Sequence, residues 1–160
     1  MLTYIALGTN LGRRRQNLSR ARNLLSEHVR IIKTSAIYET EPWGFTDQPK
    51  FLNQVLEGQT DLDAPALLQF VKLIERKMGR KPSVRYGPRL IDLDILLLGD
   101  LQLDTPGLVI PHPRMAERAF VLVPLAEIAP FLVIPGTDKT AVETLAVLDV
   151  SGIHKVKEIA

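Results

Sequence analysis

The sequence predicts a single α+β domain over residues 1–160, with a core in the order β-α-β-β-α-β. Three observations carry this. A chain of 160 residues suits one compact core and leaves little room for a second. Four apolar stretches of strand length alternate with two stretches of helical period, in that order. A hydrophobic fraction of 46% with 24% charged residues is ordinary globular usage, which argues against a disordered or collagen-like chain. The order is the ferredoxin-like split βαβ pattern, whose two helices cover one face of an antiparallel sheet. The other face is left for later segments or a ligand.

Each element has its own signal. Residues 2–7 are apolar and end at Gly8, as a buried strand would. Residues 14–28 place Leu18, Ala21 and Leu25 on one helical face. Residues 29–38 are β-branched and apolar, a second strand. Thr40, Pro42, Gly44, Asp47 and Pro49 then mark a loop. Residues 51–56 read as a third strand. Asp63-Ala64-Pro65 is a cap and first turn, and Leu67, Val71, Ile74 and Met78 line a second helix that Gly79 ends. Residues 90–98 are the fourth strand. Beyond them, Gly99-Asp100 and Pro106-Gly107 are turns, and the apolar pieces at 108–110, 119–128 and 131–134 read as a hairpin and short helices.

Twenty Lys and Arg against eighteen Asp and Glu leave a net charge of +2. That is too small for a polycation, so any anion site must come from local clustering. With no Cys, disulfides and thiolate metal sites are excluded. The N-terminus shows no signal peptide, and the apolar run at 119–126 is far short of the ~20 residues a membrane helix needs. A cytoplasmic protein with no membrane contact is expected. Aromatics make up only 6% of the chain and no strand shows an aromatic stripe, so no nucleic-acid partner is expected.

The most informative segment is the fourth strand. Alternation puts Leu90, Asp92, Asp94 and Leu96 on one face and Ile91, Leu93, Ile95 and Leu97 on the other. The two aspartates then stand about 7 Å apart at the backbone. If their carboxylates converge to about 5 Å, the repulsion is about 3 kcal/mol at an effective dielectric near 20. One reading is a solvated strand face. The other is a cation site, and without Cys and with three His, hard oxygen ligands favour Mg²⁺ over Zn²⁺.

Just upstream, residues 76–91 hold six cations (Arg76, Lys77, Arg80, Lys81, Arg85 and Arg89) and no acid. The helix dipole explains the first two. Arg85 and Arg89 lie well past the helix, and cations beside two carboxylates suggest a polyphosphate bound through Mg²⁺. Pro111-His112-Pro113-Arg114 and Arg118 form a second cluster, structural or phosphate-binding. Arg13-Arg14-Arg15 opens the first helix against its dipole, as a solvated basic face or a phosphate contact. In the 40–53 loop, Trp43, Phe45 and Phe51 lie close to Asn53. They either cover the core or offer an aromatic plate and an amide to a flat heterocycle.

Together these segments resemble the 6-hydroxymethyl-7,8-dihydropterin pyrophosphokinase family of folate synthesis. The resemblance is carried by Ile5-Ala6-Leu7-Gly8-Thr9-Asn10-Leu11, by Tyr38-Glu39-Thr40-Glu41-Pro42-Trp43-Gly44, and by Asp47-Gln48-Pro49 with Phe51-Leu52-Asn53. The most specific piece is Gly87-Pro88-Arg89-Leu90-Ile91-Asp92-Leu93-Asp94-Ile95, followed by Pro111-His112, Arg118, Phe120, Pro124-Leu125 and Ile128-Ala129-Pro130. The match runs through nearly the whole chain in order and spacing.

The resemblance implies a ferredoxin-like fold and transfer of the βγ-diphosphate of ATP to the pterin hydroxymethyl group, with AMP released. It implies two Mg²⁺ ions, held by Asp92 and Asp94. Arg80 and Arg89 would act on the phosphates, Arg80 from a closing loop. Lys72, Glu75, Ile95, His112 and Arg118 would belong to the ATP site. Thr40, Pro42, Trp43, Phe51, Asn53 and Phe120 would surround the pterin, the two Phe rings sandwiching it. A monomer is expected. Departures from the family pattern are Lys72 for a common Gln, Pro113 for a common Tyr, Tyr86 for a common Trp, and a basic loop about one residue shorter than in some members.

Overall fold

A computed structural model describes residues 1–41, 47–79 and 90–157. The core elements are β1 (Leu2–Thr9), α1 (Arg14–Leu25), β2 (Val29–Thr34), β3 (Tyr38–Thr40), β4 (Phe51–Thr60), α2 (Ala64–Lys77) and β5 (Asp92–Leu98). A hairpin of β6 (Leu103–Thr105) and β7 (Leu108–Ile110) follows. The chain then forms a 3-10 turn at Met115–Glu117, α3 (Ala119–Ile128), α4 (Ala141–Leu145) and β8 (Ile153–Lys155). The main sheet runs β5-β1-β4-β3-β8, with β2 also on β4, and all its pairs are antiparallel. This is the split βαβ order, with one added strand at the edge.

The sheet has a core on each face. On one side Leu18, Ala21 and Leu25 of α1 and Leu67, Val71 and Ile74 of α2 pack on Ile5, Leu7, Leu56, Leu93 and Ile95. Strand alternation sends Tyr4, Val55, Leu96 and Leu97 to the other side, against Val121, Leu122 and Leu125 of α3. Fully burying one such Leu or Val contributes roughly 1.5–3 kcal/mol. Asp63 caps α2 as expected, accepting from Ala66 N–H at 2.9 Å. Arg13 caps α1 without a side-chain bond. Instead Asn17 Nδ2 ties the turn down by donating to Leu11 O and Leu90 O.

The structure corrects three expectations and adds a strand. The second strand is not continuous over 29–38. Ser35 interrupts it, exchanging hydrogen bonds with the Val55 backbone through its own N–H (2.9 Å) and Oγ (3.0 Å). The 131–134 piece is not a helix; Val133 bridges Thr140 instead. Leu97 does not share the face of Ile95. Tyr4 pairs with Leu97 and Ile5 with Ile95, so Leu96 is an extra residue and both leucines turn toward α3. Strand β8 was not anticipated. It pairs with β3, Tyr38 opposite Lys155 and Thr40 opposite Ile153.

Candidate active site

Antiparallel partners share a face, so the register lays out the floor of the site. Asp92 is opposite Gly8, and Gly8 is opposite Asn53. In the next row Asp94 is opposite Ala6, and Ala6 opposite Val55. The two aspartates are therefore neighbours on the α3 side, about 10 Å from Asn53 at the backbone, two strand spacings away. Between them Gly8 leaves the floor bare. A Cβ there would lie 3.3 Å from Asn53 Oδ1 and 3.9 Å from Phe51 Cδ1.

On the Asn53 side, Thr40 is opposite Phe51. Asn53 and Thr40 are both buried, and Asn53 Nδ2 donates to Thr40 Oγ1 at 2.8 Å. That bond fixes the amide with its oxygen toward Gly8. Phe120 opens α3 beside Arg118, whose guanidinium carbon lies 5.6 Å from the ring centroid.

On the aspartate side the charges are crowded. Burial, then the nearby Asp92, holds the Asp94 carboxyl well above the usual carboxylate range, while Arg118 and Lys72 pull the other way. Glu75 is also buried. Its Oε2 accepts from Leu93 N–H at 2.9 Å and its Oε1 lies 3.3 Å from Lys72 Nζ. A carboxylate on α2 thus ties that helix to the outer strand β5, next to Asp94. His112 is positioned by the bulge, its backbone N–H donating to Leu96 O at 2.9 Å, and the ring is oriented separately. Its Nδ1 accepts from Arg114 N–H at 3.2 Å, which puts the proton of the neutral ring on Nε2. Burial, then Arg118, pushes the imidazole down to about 4.

A cleft of about 270 Å³ opens beside this cluster, lined by Lys72 and Val71 of α2, Asp94 and Ile95 of β5, and His112. Its outer wall is the β6–β7 turn, Pro106 to Val109. Two carboxylates with water and phosphate oxygens suit Mg²⁺, which rarely takes an all-protein cage. Among the described residues no group of three acidic, His or Cys donors is assembled.

The structure brings Asp92, Asp94, Lys72, Glu75, Ile95, His112 and Arg118 to one end of the sheet. It sets Phe51 and Asn53 on the face of Asp92 and Asp94 two strands away, and Thr40 three strands away. Pro42, Trp43, Arg80 and Arg89 lie outside the described residues. Sequence reasoning missed the bare floor at Gly8 and the hairpin wall. Gly8 ending an apolar run and the Pro106-Gly107 turn were the available signals.

A ferredoxin-like sheet carrying paired acids, an arginine and a neutral histidine beside a cleft defines a phosphoryl-group transferase. The comparisons make this particular. Residues 4–130 match the family described as 7,8-dihydro-6-hydroxymethylpterin-pyrophosphokinase (HPPK), and the chain belongs to this family. Its reaction is pyrophosphate transfer from ATP to hydroxymethyldihydropterin in folate synthesis. It is 50% identical over 129 residues to the 2-amino-4-hydroxy-6-hydroxymethyldihydropteridine pyrophosphokinase of Bacillus subtilis, covering 79% of this chain and 77% of the relative. The enzyme of that name from Methylorubrum extorquens is 46% identical over 156 residues, covering 96% and 98%. The chain also matches longer proteins. It spans 23% of the mitochondrial folate synthesis bifunctional protein of Arabidopsis thaliana at 46% identity. A Plasmodium falciparum HPPK-DHPS crystal structure shares the fold, with a TM-score of 0.74, 19% identity and coverage of 91% of this chain and 44% of that one.

Proposed function

We propose that Asp92 and Asp94 hold Mg²⁺, two ions when ATP is bound, and that the transfer takes place above Gly8. The observation that supports this most is the register: both acids sit side by side on the face that also presents Asn53 and Phe51. Bound there, Mg²⁺ would shield the phosphate charges and help align the β-phosphorus with the attacking hydroxyl. The protein's own groups do the rest. His112, neutral with its proton on Nε2, donates to a phosphate oxygen. Arg118 supplies fixed positive charge, and Arg80 and Arg89 take further phosphate oxygens. Lys72, Glu75 and the β5 edge at Ile95 receive the nucleotide. Asn53, oriented by Thr40, reads the pterin edge, with Phe51, Phe120, Pro42 and Trp43 around the ring. Little covalent chemistry is asked of the chain, which positions and shields.

The test is to mix the chain with ATP, MgCl₂ and 6-hydroxymethyl-7,8-dihydropterin and follow AMP. AMP formation that stops on chelation and falls steeply in Asp92→Asn and Asp94→Asn supports the assignment. Undiminished turnover in either variant removes that residue from the metal site.

A further inference from the structure

We infer that the chain carries a second anion site, separate from the Asp92–Asp94 pair, in which Arg22, Arg15, Lys155 and Lys157 bind a small multivalent oxyanion. A cleft of about 990 Å³ lies between α1, the break that separates β2 from β3, and β8. All four cations line it, and among the described residues Glu127 is the only acid that does. The Glu127 carboxylate is already engaged: it accepts from Ala36 N–H at 3.1 and 3.2 Å and from Tyr38 O–H at 2.6 Å.

Arg22 is the centre of this site. Its Nη1 donates to Gln54 Oε1 at 2.6 Å. Gln54 is itself only 5% exposed and is locked by Nε2 donating to Ser35 O at 2.7 Å. A neutral amide thus fixes the guanidinium, and among the described residues no carboxylate pairs with it. Partial burial alone lowers the affinity of Arg22 for its proton, with no acid offsetting it. A guanidinium has five N–H donors, and Gln54 takes one. A partly desolvated cation with a free fork is costly to keep and suits a bidentate oxyanion. Arg15 of α1 lines the cleft and donates to Lys157 O at 2.9 Å, which ties the segment after β8 to that helix. Gln54 and Asn53 are successive residues of β4, so the Arg22–Gln54 pair and the proposed pterin site lie on opposite faces of the sheet, while Glu127 of α3 reaches the cleft from the pterin side.

The volume suits a small molecule rather than a polymer. Arg and Lys together accept phosphate or carboxylate oxygens, so pyrophosphate and citrate are the two probes. The experiment is a ¹⁵N NMR titration of the full chain in metal-free buffer, following the Arg22 Nε–H and the amides of Ser35, Gln54 and Val156. Saturable shifts at these groups with either anion are expected, pyrophosphate alone pointing to a phosphate-bearing ligand and citrate alone to a polycarboxylate. Arg22→Gln, and separately the exposed pair Lys155→Glu/Lys157→Glu, should weaken binding at least tenfold while turnover stays at the wild-type level. Shifts that rise linearly, shifts confined to catalytic-face amides such as Gly8 and Asp94, or unchanged binding in the double lysine variant would overturn the inference. The lysine pair is solvent-exposed, so its substitution tests the site even if Arg22→Gln does not fold.

Discussion

His112 and Asp94 are opposite cases of one physical effect, since burial penalises whichever form is charged. For His112 that favours the neutral ring, pushed down to about 4 by burial and then Arg118. In the unfolded chain a histidine titrates near ~6.5. Between these values the unfolded state binds more protons, so stability rises with pH across the window. The His112 contribution is complete above about pH 6.5 and is lost as pH falls through about 4. Melting midpoints of the metal-free protein across this window are therefore expected to fall less steeply toward acid in His112→Gln than in wild type, and identical slopes would remove the assignment. For Asp94, burial and Asp92 disfavour the ionised form that a metal needs. Asp94→Asn is expected to raise the melting midpoint without metal. The same change should cut turnover on the order of a hundred-fold, the scale of losing one electrostatic contact to the transferring group. A variant that loses both stability and activity would show a structural residue instead.

At the scale of elements, two irregularities shape the site, and neither had a local signal. The run from Val29 to Tyr38 reads as one strand because β-branched and apolar residues recur along it; the break comes from Ser35 bonding across to Val55, a partner twenty residues away. The bulge at Leu96 sits in an unbroken row of leucines, yet its carbonyl anchors His112. By contrast the Asp92 and Asp94 pairing was legible, because alternation on a strand is local and the bulge comes after both residues. The Thr40, Phe51 and Asn53 grouping was half legible. Phe51 and Asn53 share a strand, while Thr40 joins them only through pairing with β3. That short strand is held to α3 by Tyr38 O–H and Glu127, at 2.6 Å. Tyr38→Phe should destabilise by about 1.5–3 kcal/mol, the net value of a hydrogen bond to a charged acceptor. It should also raise KM for the pterin more than KM for ATP, because β3 carries Thr40. Equal changes in both constants would mean that the tie serves only the fold.

Across the whole molecule, the sheet has a helical layer covering α1 and α2's side and a shorter one, α3, on the other. Toward one end of that second face Tyr4 and Leu97 pack beneath α3, and at the opposite end the row Asp92–Gly8–Asn53 carries the polar groups. The chain order placed the sheet and its helices, since each is set by local periodicity. The position of α3, the hairpin wall and β8 was not legible, because each depends on packing between segments far apart in sequence. A face with crowded acids and buried polar groups is the least stable part of such a domain until a ligand completes it. Folding and loading are then linked: Mg²⁺ with ATP, at about a hundred times their joint dissociation constant, adds about 2.7 kcal/mol to stability. For a chain of this length that is a rise of about 5–10 °C in melting temperature. Asp92→Asn should abolish most of the rise while keeping the unliganded midpoint within a few degrees of wild type. Differential scanning fluorimetry with and without Mg²⁺ and ATP reads both quantities. A full shift in Asp92→Asn would mean that the nucleotide is held without the acid pair, and the metal assignment would fall with it.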